Sequence, residues 1–378
     1  MASLRLILAL CLVACAAAAR ITKRNNPSAI PGEYLVELKK GSVNIASSDV
    51  EVIKKFHIGE WRALHVKVND AQLAALAVDP NVELIEANTW EWSVSCTEET
   101  PGNTGLWGLR RISHRSLGAT HMYDSDGSGA VVYVADTGIR ITHNEVAGRA
   151  THGFTAFGTI YDDGNGHGTH CAGTVGGSGS GNTGVAKNCA LVNVRVLGDN
   201  GSGSTDGVVA GINWASNDHN GRGVLSMSLG GGGSAVMDNA VNAASNNGLF
   251  VVVAAGNSNA NACNYSPARA EEAYTVGATD VGDNRATYSN WGTCVDIFAP
   301  GSSVYSAWHT TDSTYNTISG TSMACPHVAG AAARYISEQS GSVSPAAIKS
   351  ALSSAATQGA VQNPGTGSPN LLLYSSCA

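Results

Sequence analysis

The sequence predicts an α/β fold, in which a parallel sheet is flanked by helices on both faces, preceded by a small α+β domain. Four short, continuous apolar runs are typical of buried parallel strands. They are residues 129–136, 189–198, 223–231 and 249–257. Helical stretches such as residues 206–217 and 235–248 lie between these runs, and the second ends in glycine. Repeated alternation of strands and helices implies a parallel sheet covered by helices on both sides.

The segment from residue 20 to residue 92 has a different pattern, which predicts the small α+β domain. Residues 32–41, 61–70 and 82–88 are its predicted strands. Residues 70–80 have helical spacing, with Asp70 as the expected N-cap and a terminating proline. The segment contains no cysteine and no obvious catalytic group. We interpret it as a pro-segment, and an independent binding domain is the alternative.

Residues 1–19 are predicted to be a secretory signal peptide. Arg5 precedes an apolar stretch at residues 6–13, and a run of alanines follows, so cleavage is expected near residues 17–19. The protein is therefore expected to be secreted and extracellular, where disulfides form. Beyond the first twenty residues no apolar run is long enough to span a bilayer, so no membrane association is expected after signal removal.

Composition narrows the class of protein further. The 378 residues include 45 glycines and only 13% charged residues, which indicates a compact, loop-rich globular protein rather than a disordered or coiled-coil chain. A net charge of -7 without a basic patch argues against nucleic acid as the main partner.

The cysteines indicate an incomplete disulfide set. Nine are present, and two of them, Cys11 and Cys15, would leave with the signal peptide. The remaining number is odd, so at least one stays free or pairs between chains. None shows paired CxxC spacing, so we expect no zinc site.

Four polar residues lie where predicted strands end or predicted helices begin. Asp136 ends "VVYVAD", His167 follows the glycine-rich bend of "GNGHGTH", Asn257 ends "VVVAAGN" and Ser322 lies in "SGTSMA". Each alone has a purely structural interpretation, such as a turn residue or a helix N-cap. Together they offer an acid, a base, an amide donor and a nucleophile at one edge of the predicted sheet.

The order of these residues separates hydrolase classes. Asp, then His, then Ser is the order of subtilisin, whereas an α/β-hydrolase has the serine first and a GxSxG motif, which "GTSMA" lacks. His170 lies three residues after His167, but the HExxH zinc motif is absent. We therefore expect His170 to be a packed, hydrogen-bonded core histidine.

Several segments resemble the signature segments of the subtilisin-like serine proteases, and the nearest branch is that of proteinase K and its bacterial extracellular relatives. The segments are "VADTG", "GHGTHCAGTVGG", "SLGGG", "VVVAAGNSNANACNYSPA" and "ISGTSMACPHVAG". The similarity runs from residue 107 to residue 374. Residues 20–92 resemble the inhibitory propeptide of that family, which assists folding and is removed by the enzyme itself.

The resemblance implies a serine endopeptidase in residues 93–378, with cleavage of the pro-segment near residues 90–94. Asp136 would orient His167, and His167 would take the proton of Ser322. The side chain of Asn257 and the backbone N–H of Ser322 would bind the oxyanion. Catalysis would need no cofactor. The partners would be protein and peptide substrates and the enzyme's own propeptide as an intramolecular inhibitor, and the enzyme would be a monomer.

The resemblance also implies two edge segments, residues 199–204 and 228–231, that bind an extended peptide between them. The expected substrate-binding residues are Gly201, Ser202, Gly203, Ser228, Leu229, Gly230, Ala254, Ala255 and Gly256. The walls of the first pocket are small and uncharged, so we expect broad cleavage after aromatic or aliphatic residues. Asp162 and Asp163 precede His167, and the sequence does not show in which direction their side chains point.

A structural calcium ion is a further implication of the resemblance. Asp296 in "VDIFAPG" matches a family ligand, and backbone carbonyls near Glu271 and Ala273 would complete the site. The alternative is that Asp296 pairs with an arginine.

For the cysteines, Cys263 and Cys294 resemble a disulfide of the bacterial relatives, and Cys171 matches a buried free thiol of proteinase K. Two alternatives stay open for the others. These are Cys96–Cys189 together with Cys325–Cys377, or a competing Cys171–Cys325 pair.

Two rival functions are considered. "VADTG" also resembles the signature of aspartic proteases, in which two aspartates share a proton. Its partner would have to come from "YDSDGSG", which lacks a preceding apolar strand, and His167, Asn257 and Ser322 would have no role. The second rival is a secreted, non-catalytic scaffold, although such a chain usually loses a catalytic residue.

Overall fold

The structure, a computed structural model, describes residues 19–22, 29–47, 49–89 and 96–377. The chain divides into two compact units, residues 1–93 and 94–378. The predicted signal peptide, apart from Ala19, and the predicted pro-segment cleavage region at residues 90–94 lie outside the described residues.

In the described residues up to Thr89, the first unit has one helix and a five-stranded sheet. Its elements are β1 (Arg20–Thr22), β2 (Ala29–Leu38), β3 (Glu51–Ile58), β4 (Trp61–Lys67), α1 (Asp70–Ala77) and β5 (Val82–Thr89). The strands lie in the order β1-β5-β2-β4-β3. β1 is parallel to β5, and the other neighbouring pairs are antiparallel. This unit is the predicted small α+β domain.

The N-cap of α1 is Asn69 rather than the predicted Asp70. Asn69 Oδ1 accepts the backbone N–H of Gln72 at 2.9 Å, and Gln72 Oε1 accepts the backbone N–H of Asn69 at 3.0 Å. This reciprocal pair is a capping box. Asp70 instead lies in the first turn, where a carboxylate interacts favourably with the helix dipole.

The second unit contains the remaining helices and strands. The helices are α2 (Trp107–Ile112), α3 (His167–Gly176), α4 (Thr205–Asp218), α5 (Ala235–Asn246), α6 (Thr321–Ser337) and α7 (Pro345–Ala355), with 3-10 turns at Thr104–Leu106 and Ala262–Asn264. In the part of the chain that the structure describes, no helix combines the length and hydrophobicity needed to cross a bilayer.

The strands of this unit form one large sheet and three small two-stranded sheets among the described residues. They are β6 (Thr97–Glu99), β7 (His121–Tyr123), β8 (Val131–Asp136), β9 (Ala150–Thr155), β10 (Ala190–Arg195), β11 (Gly223–Met227), β12 (Gly231–Gly232), β13 (Phe250–Ala254), β14 (Tyr265–Ser266), β15 (Tyr274–Thr279), β16 (Ile297–Pro300), β17 (Val304–Ala307), β18 (Tyr315–Ile318), β19 (Thr357–Gln358) and β20 (Leu371–Leu372).

The large sheet has the order β19-β20-β16-β15-β13-β11-β8-β10-β9. All neighbouring pairs are parallel except β19 and β20. The four predicted apolar runs are β8, β10, β11 and β13, in the centre of this sheet. The predicted α/β fold is therefore confirmed.

Alternate side chains of the central strands face two different layers of helices. Val132 and Val134 of β8 belong to the core cluster that contains residues of α3 and α6. Tyr133 and Ala135 belong to the cluster that contains residues of α4 and α5. Because both faces of the sheet are covered, the strands are apolar along their whole length rather than at every second residue.

The structure contains two disulfides among the described residues. Cys263 and Cys294 form the pair that the resemblance implied, with Cα atoms 5.3 Å apart. The second disulfide joins Cys96 to Cys377, whose Cα atoms are 5.6 Å apart. Both separations lie within the range that a disulfide spans.

The other expected pairings are wrong. Cys96 does not pair with Cys189, Cys325 does not pair with Cys377, and Cys171 does not pair with Cys325. The thiols of Cys171, Cys189 and Cys325 are free and lie in the core. The sequence could not show this, because pairing depends on the distances between elements rather than on the number of cysteines.

Candidate active site

The order of strands in the large sheet reverses at β8. This strand lies between β10 and β11, so the chain continues first on one side of β8 and later on the other. Loops that leave the carboxyl ends of strands at such a point diverge and form a crevice. Asp136 is the last residue of β8 and is fully buried, while Ser228 follows β11 and Asn257 follows β13.

His167 is the first residue of α3, and glycines on both sides hold it there. Gly166 is the N-cap and has a φ of 107°, in the left-handed region that favours glycine. A Cβ atom on Gly168 would lie 2.1 Å from the carbonyl oxygen of Gly138. Only glycine therefore allows α3 to approach the loop that follows Asp136.

His167 and Asp136 form a direct pair. Nδ1 of His167 lies 2.8 Å and 3.0 Å from the two carboxylate oxygens of Asp136. Burial of the imidazole ring lowers the pKa of His167, but the charge and hydrogen bond of Asp136, together with the contact of Cys171, outweigh this effect and hold the pKa well above its usual value. Because Nδ1 faces Asp136, Nε2 is the ring nitrogen left for a reacting group.

Asp136 is not part of an aspartate dyad. Asp126, in the segment "YDSDGSG", accepts hydrogen bonds from Ser128 and Asn188. Asp136 instead bonds His167. This geometry removes the support for the aspartic-protease interpretation.

His170 is the core histidine that the sequence predicted. Its Nε2 lies 3.1 Å from the carbonyl oxygen of Val304. Burial lowers the pKa of His170 to about 3, so the ring is neutral.

Cys171 lies directly behind the pair of His167 and Asp136. Its Sγ is 3.9 Å from His167 Nδ1 and donates to the carbonyl oxygen of Ser322 at 3.5 Å. The ligand atoms of Asp136, His167 and Cys171 lie within 4.8 Å of one another, as in a metal site. We assign no metal here, because burial raises the pKa of the Cys171 thiol and Nδ1 of His167 is already bonded to Asp136.

The loop before His167 is organised by Asp163. Its Oδ1 accepts the backbone N–H groups of Asn165 at 3.0 Å and Gly166 at 2.8 Å. Its Oδ2 accepts the backbone N–H of Thr169 at 2.9 Å and the Thr169 hydroxyl at 2.6 Å. The carboxylate thus satisfies N–H groups at the start of α3, which lack partners within the helix.

The same carboxylate reaches the strand that carries Asp136. The hydroxyl of Thr137 donates to Asp163 at 2.9 Å and accepts the backbone N–H of Gly168 at 2.9 Å. Asp163 is only 7% exposed, whereas the side chain of its neighbour Asp162 is 89% exposed. Asp163 therefore connects the end of β8 to the start of α3, a role that the sequence did not reveal.

Ser322 is the second residue of α6 and does not cap it. The N-cap is Gly320, and no side-chain capping hydrogen bond forms. The hydroxyl of Ser322 donates to the carbonyl oxygen of Ser228 at 3.2 Å, and the hydroxyl of Ser228 donates to the carbonyl oxygen of Ser322 at 2.8 Å. The structural interpretation as an N-cap is thus wrong, and Ser322 lies in the positive field of the helix N-terminus.

The amide of Asn257 is fixed by Thr321. Its Oδ1 accepts the backbone N–H of Thr321 at 2.8 Å and the Thr321 hydroxyl at 2.9 Å. The Thr321 hydroxyl in turn accepts the backbone N–H of Gly256 at 3.1 Å. Because the amide oxygen is engaged in this way, the NH₂ group is the end of Asn257 that is left to donate to a ligand.

His167, Asn257 and Ser322 line one cleft of about 620 Å³. All nine expected substrate-binding residues line it too. They are Gly201, Ser202, Gly203, Ser228, Leu229, Gly230, Ala254, Ala255 and Gly256. The structure therefore brings the predicted catalytic and substrate-binding residues together.

The cleft also has an apolar lining that the sequence did not predict. These residues are Leu197, Val208, Met237, Tyr265 and Ala268. They come from α4, α5, β14 and loops, so no single motif marks them. None of the described residues that line the cleft is an aspartate, glutamate, lysine or arginine. A neutral, apolar side chain is the complement of such a lining.

The expected calcium ligands form a different arrangement. Asp296 Oδ1 lies 2.9 Å from the ammonium of Lys349, which also donates to the carbonyl oxygen of Ala273 at 3.4 Å. Asp296 Oδ2 accepts the backbone N–H of Thr275 at 2.8 Å. Glu271 has an exposed side chain. This arrangement does not fit calcium, because a positively charged ammonium already lies at the carboxylate and the carbonyl that would bind the ion. The partner of Asp296 is a lysine rather than an arginine.

Known proteins with similar sequences are serine proteases. The model of the Subtilase family matches residues 127–369. The chain is 47% identical over 326 residues to the "Extracellular serine proteinase" of Thermus sp. (strain Rt41A), which covers 85% of this chain and 77% of that protein. It is 43% identical over 392 residues to the "Cuticle-degrading serine protease" of Arthrobotrys oligospora. This alignment covers 95% of this chain and 94% of that protein.

A solved structure is also similar. The crystal structure of a cold-adapted subtilisin-like serine proteinase superposes with a TM-score of 0.69 and is 47% identical. The match covers 72% of this chain and 98% of that one.

Proposed function

Because the chain belongs to the Subtilase family, we propose that Asp136, His167 and Ser322 form its catalytic triad, with Asn257 as an oxyanion donor. The protein is an extracellular serine endopeptidase, and its chemistry needs no cofactor. The observation that supports the triad is the convergence of His167, Ser322 and Asn257 on one cleft, with Asp136 bonded to the histidine from behind.

Acylation begins at Ser322. Its hydroxyl rotates from the carbonyl of Ser228 toward His167, attacks the carbonyl carbon of the scissile bond, and gives its proton to Nε2 of His167. Asp136 keeps the imidazole in the tautomer with the proton on Nδ1 and stabilises the imidazolium. The imidazolium then protonates the leaving amine. The part of the substrate that is C-terminal to the cleaved bond departs with a new amino group, and the acyl part stays bound to Ser322.

Deacylation repeats these steps with water as the nucleophile. His167 takes a proton from the water, which attacks the acyl carbon, and then returns a proton to Ser322 as the acid product leaves. In both halves the oxyanion accepts hydrogen bonds from the Asn257 NH₂ group and the backbone N–H of Ser322. The contacts of Thr321 with Asn257 orient this donor before substrate arrives.

The substrate is an extended peptide that pairs with residues 201–203 and 228–230 through its backbone. Such pairing tolerates many sequences, so the side-chain pocket sets the preference. The apolar, uncharged lining favours cleavage after aromatic or aliphatic residues. Peptides that differ only at the residue before the cleaved bond test this. We expect the apolar series to exceed lysine and aspartate in kcat/KM, and equal values would contradict it.

The first unit acts as a propeptide that inhibits the enzyme and is removed by it, and the mature enzyme acts as a monomer. Support for the propeptide comes from the separate unit in which the described residues from Ala19 to Thr89 lie, and from the family membership of the rest. Structural calcium at Asp296 is not part of this proposal, because its donor set does not fit the ion.

Intact mass after expression of wild type, Ser322→Ala and the nearby exposed Ser319→Ala tests the proposal. We expect wild type and Ser319→Ala to lose the pro-segment, from residue 20 to about residue 92, while Ser322→Ala keeps it. A serine-directed reagent should modify Ser322 in wild type and in Ser319→Ala, and should leave Ser322→Ala unmodified. Processing of the Ser322→Ala protein would contradict a self-cleaving triad. Absence of peptidase activity in wild type would support the scaffold interpretation instead.

A further inference from the structure

Lys349 lies where the expected calcium ligands meet. It belongs to α7, while Asp296 precedes β16 and Ala273 precedes β15. The Lys349 ammonium is 2.9 Å from the Asp296 carboxylate and 3.4 Å from the Ala273 carbonyl oxygen. One cation therefore already holds two of the three backbone or carboxylate positions that the resemblance assigned to a metal.

The remaining features of the site also suit an ammonium. The second carboxylate oxygen of Asp296 accepts the backbone N–H of Thr275 at 2.8 Å, so it already has a donor. The Lys349 nitrogen lies 5.7 Å from the centre of the Tyr274 ring, which adds a favourable cation–π contact. A calcium ion at the same carboxylate would be repelled by this ammonium, which already lies at the Asp296 carboxylate and the Ala273 carbonyl oxygen.

The pair is partly protected from solvent. The side chains of Lys349 and Asp296 are 39% and 25% exposed. The ammonium thus connects α7 to the two segments that enter β15 and β16, as a metal ion bound to the same groups would.

We propose that Lys349 is a built-in cation that replaces a metal ion at Asp296 and Ala273. The lysine neutralises the carboxylate and cross-links the same segments. The fold at this site therefore holds without calcium, and removal of the ammonium exposes a carboxylate and a carbonyl that can take up a metal ion. This inference concerns stability and does not rest on the proposed catalytic function.

Calcium-dependent melting tests the proposal on the full chain that carries Ser322→Ala, which removes self-digestion from the measurement. The compared proteins are this parent, Lys349→Met, Lys349→Arg, Asp296→Asn and the double variant Lys349→Met/Asp296→Asn. Each is melted in excess calcium chloride and in excess chelator. The quantity of interest is the difference in Tm between the two conditions.

We expect Lys349→Met to gain a calcium-dependent rise in Tm, on the order of 5 °C at about 100 times the Kd. Lys349→Arg keeps the positive charge and should respond like the parent. The double variant should lose the gain, because its carboxylate is gone. A Lys349→Met protein with no larger response than the parent would overturn the proposal.

A second readout covers the case in which Lys349→Met does not fold. If Asp296 binds calcium in the parent, Asp296→Asn will lose part of the parent's calcium response, and this result also overturns the proposal. Equal responses of the parent and Asp296→Asn support it. Where Lys349→Met does fold, terbium emission excited through Tyr274 should appear in that variant and not in the parent, because the ring lies beside the vacated position.

Discussion

Asp162 and Asp163 are adjacent residues with the same functional group and opposite surroundings. Asp163 is buried and accepts five hydrogen bonds from the segments that carry Asp136 and His167. Asp162 is exposed. A single carboxylate, which does not itself line the cleft, therefore fixes the segments of the proposed catalytic residues Asp136 and His167 relative to each other.

Asp163→Asn should lower kcat by about 10–100-fold with little change in KM. The NH₂ group of asparagine cannot accept hydrogen bonds, so at least two of the five donors to this side chain would lose their acceptor. Asp162→Asn is the matched control and should retain wild-type kinetics. Steady-state kinetics on a peptide, with titration of active sites to count correctly folded enzyme, measure both. An Asp163→Asn enzyme that loses only active-site concentration would indicate a structural role instead.

The pH dependence of activity should report the pair of His167 and Asp136. Only the neutral imidazole accepts the proton of Ser322, and the Asp136 charge raises the pKa of His167 above its usual value of 6.5. The acid limb of kcat/KM should therefore have its midpoint above pH 6.5. At lower pH the ring is protonated and activity is lost.

The variant Asp136→Asn tests whether the Asp136 charge raises the pKa of His167. Removal of the charge lowers the pKa of His167, so the acid limb should move to lower pH, while kcat falls by about 10⁴-fold because the tautomer is no longer fixed. Rate profiles of both enzymes from about pH 5 to about pH 10 check this. A midpoint that does not move would show that the Asp136 charge is not what sets it.

At the scale of single elements, α2 is tied to a distant loop by a buried charge. Arg111 is fully buried and donates to both carboxylate oxygens of Asp283, at 2.7 Å and 3.0 Å, and to the carbonyl of His114 at 2.7 Å. A buried guanidinium without its carboxylate is strongly unfavourable. The pair therefore fixes the position of α2.

Asp283→Ala should destabilise the protein by about 3–5 kcal/mol, because it leaves the Arg111 charge buried and unpaired. The double variant Arg111→Met/Asp283→Ala removes that charge and should recover much of the loss. Urea unfolding in the Ser322→Ala background measures both. Equal destabilisation of the single and double variants would mean that lost packing, rather than the unpaired charge, is responsible.

Elements were predictable from the sequence where burial is uniform. β8, β10, β11 and β13 are covered on both faces, and their continuous apolar runs showed this. β9 is the edge strand of the same sheet and has exposed residues, so it carried no such run. The N-cap of α1 was placed one residue too late, because Asn69 and Asp70 are both good caps and only the bond with Gln72 separates them.

The residues of the site were predictable where they lie in local sequence motifs. Asp136, His167, Asn257 and Ser322 each stand in a recognisable segment. The contacts of Lys349 were not predictable, because it lies far along the chain from Asp296 and no motif links them.

At the scale of the whole molecule, the two disulfides close loops of very different length. Cys96 and Cys377 are separated by 281 residues, whereas Cys263 and Cys294 are separated by 31. A cross-link restricts the unfolded chain more when the loop that it closes is longer. The first disulfide should therefore contribute more to stability.

Replacement of Cys96 and Cys377 by serine should cost about 2 kcal/mol more in free energy of unfolding than replacement of Cys263 and Cys294. The short-loop double variant is the matched control, since it also removes one disulfide and adds two serines. Urea unfolding of both, in the Ser322→Ala background, gives the difference. A greater loss from the short loop would mean that native-state packing outweighs chain entropy.

The contact of Lys349 with Asp296 also determines how the protein relates to its surroundings. A cation that is covalently part of the chain has an effective concentration that dilution does not change. A secreted protein passes from the cell into a volume whose ion content it does not control. With the positive charge supplied by its own side chain, this part of the fold should keep its stability in fluids that contain little free calcium or strong natural chelators.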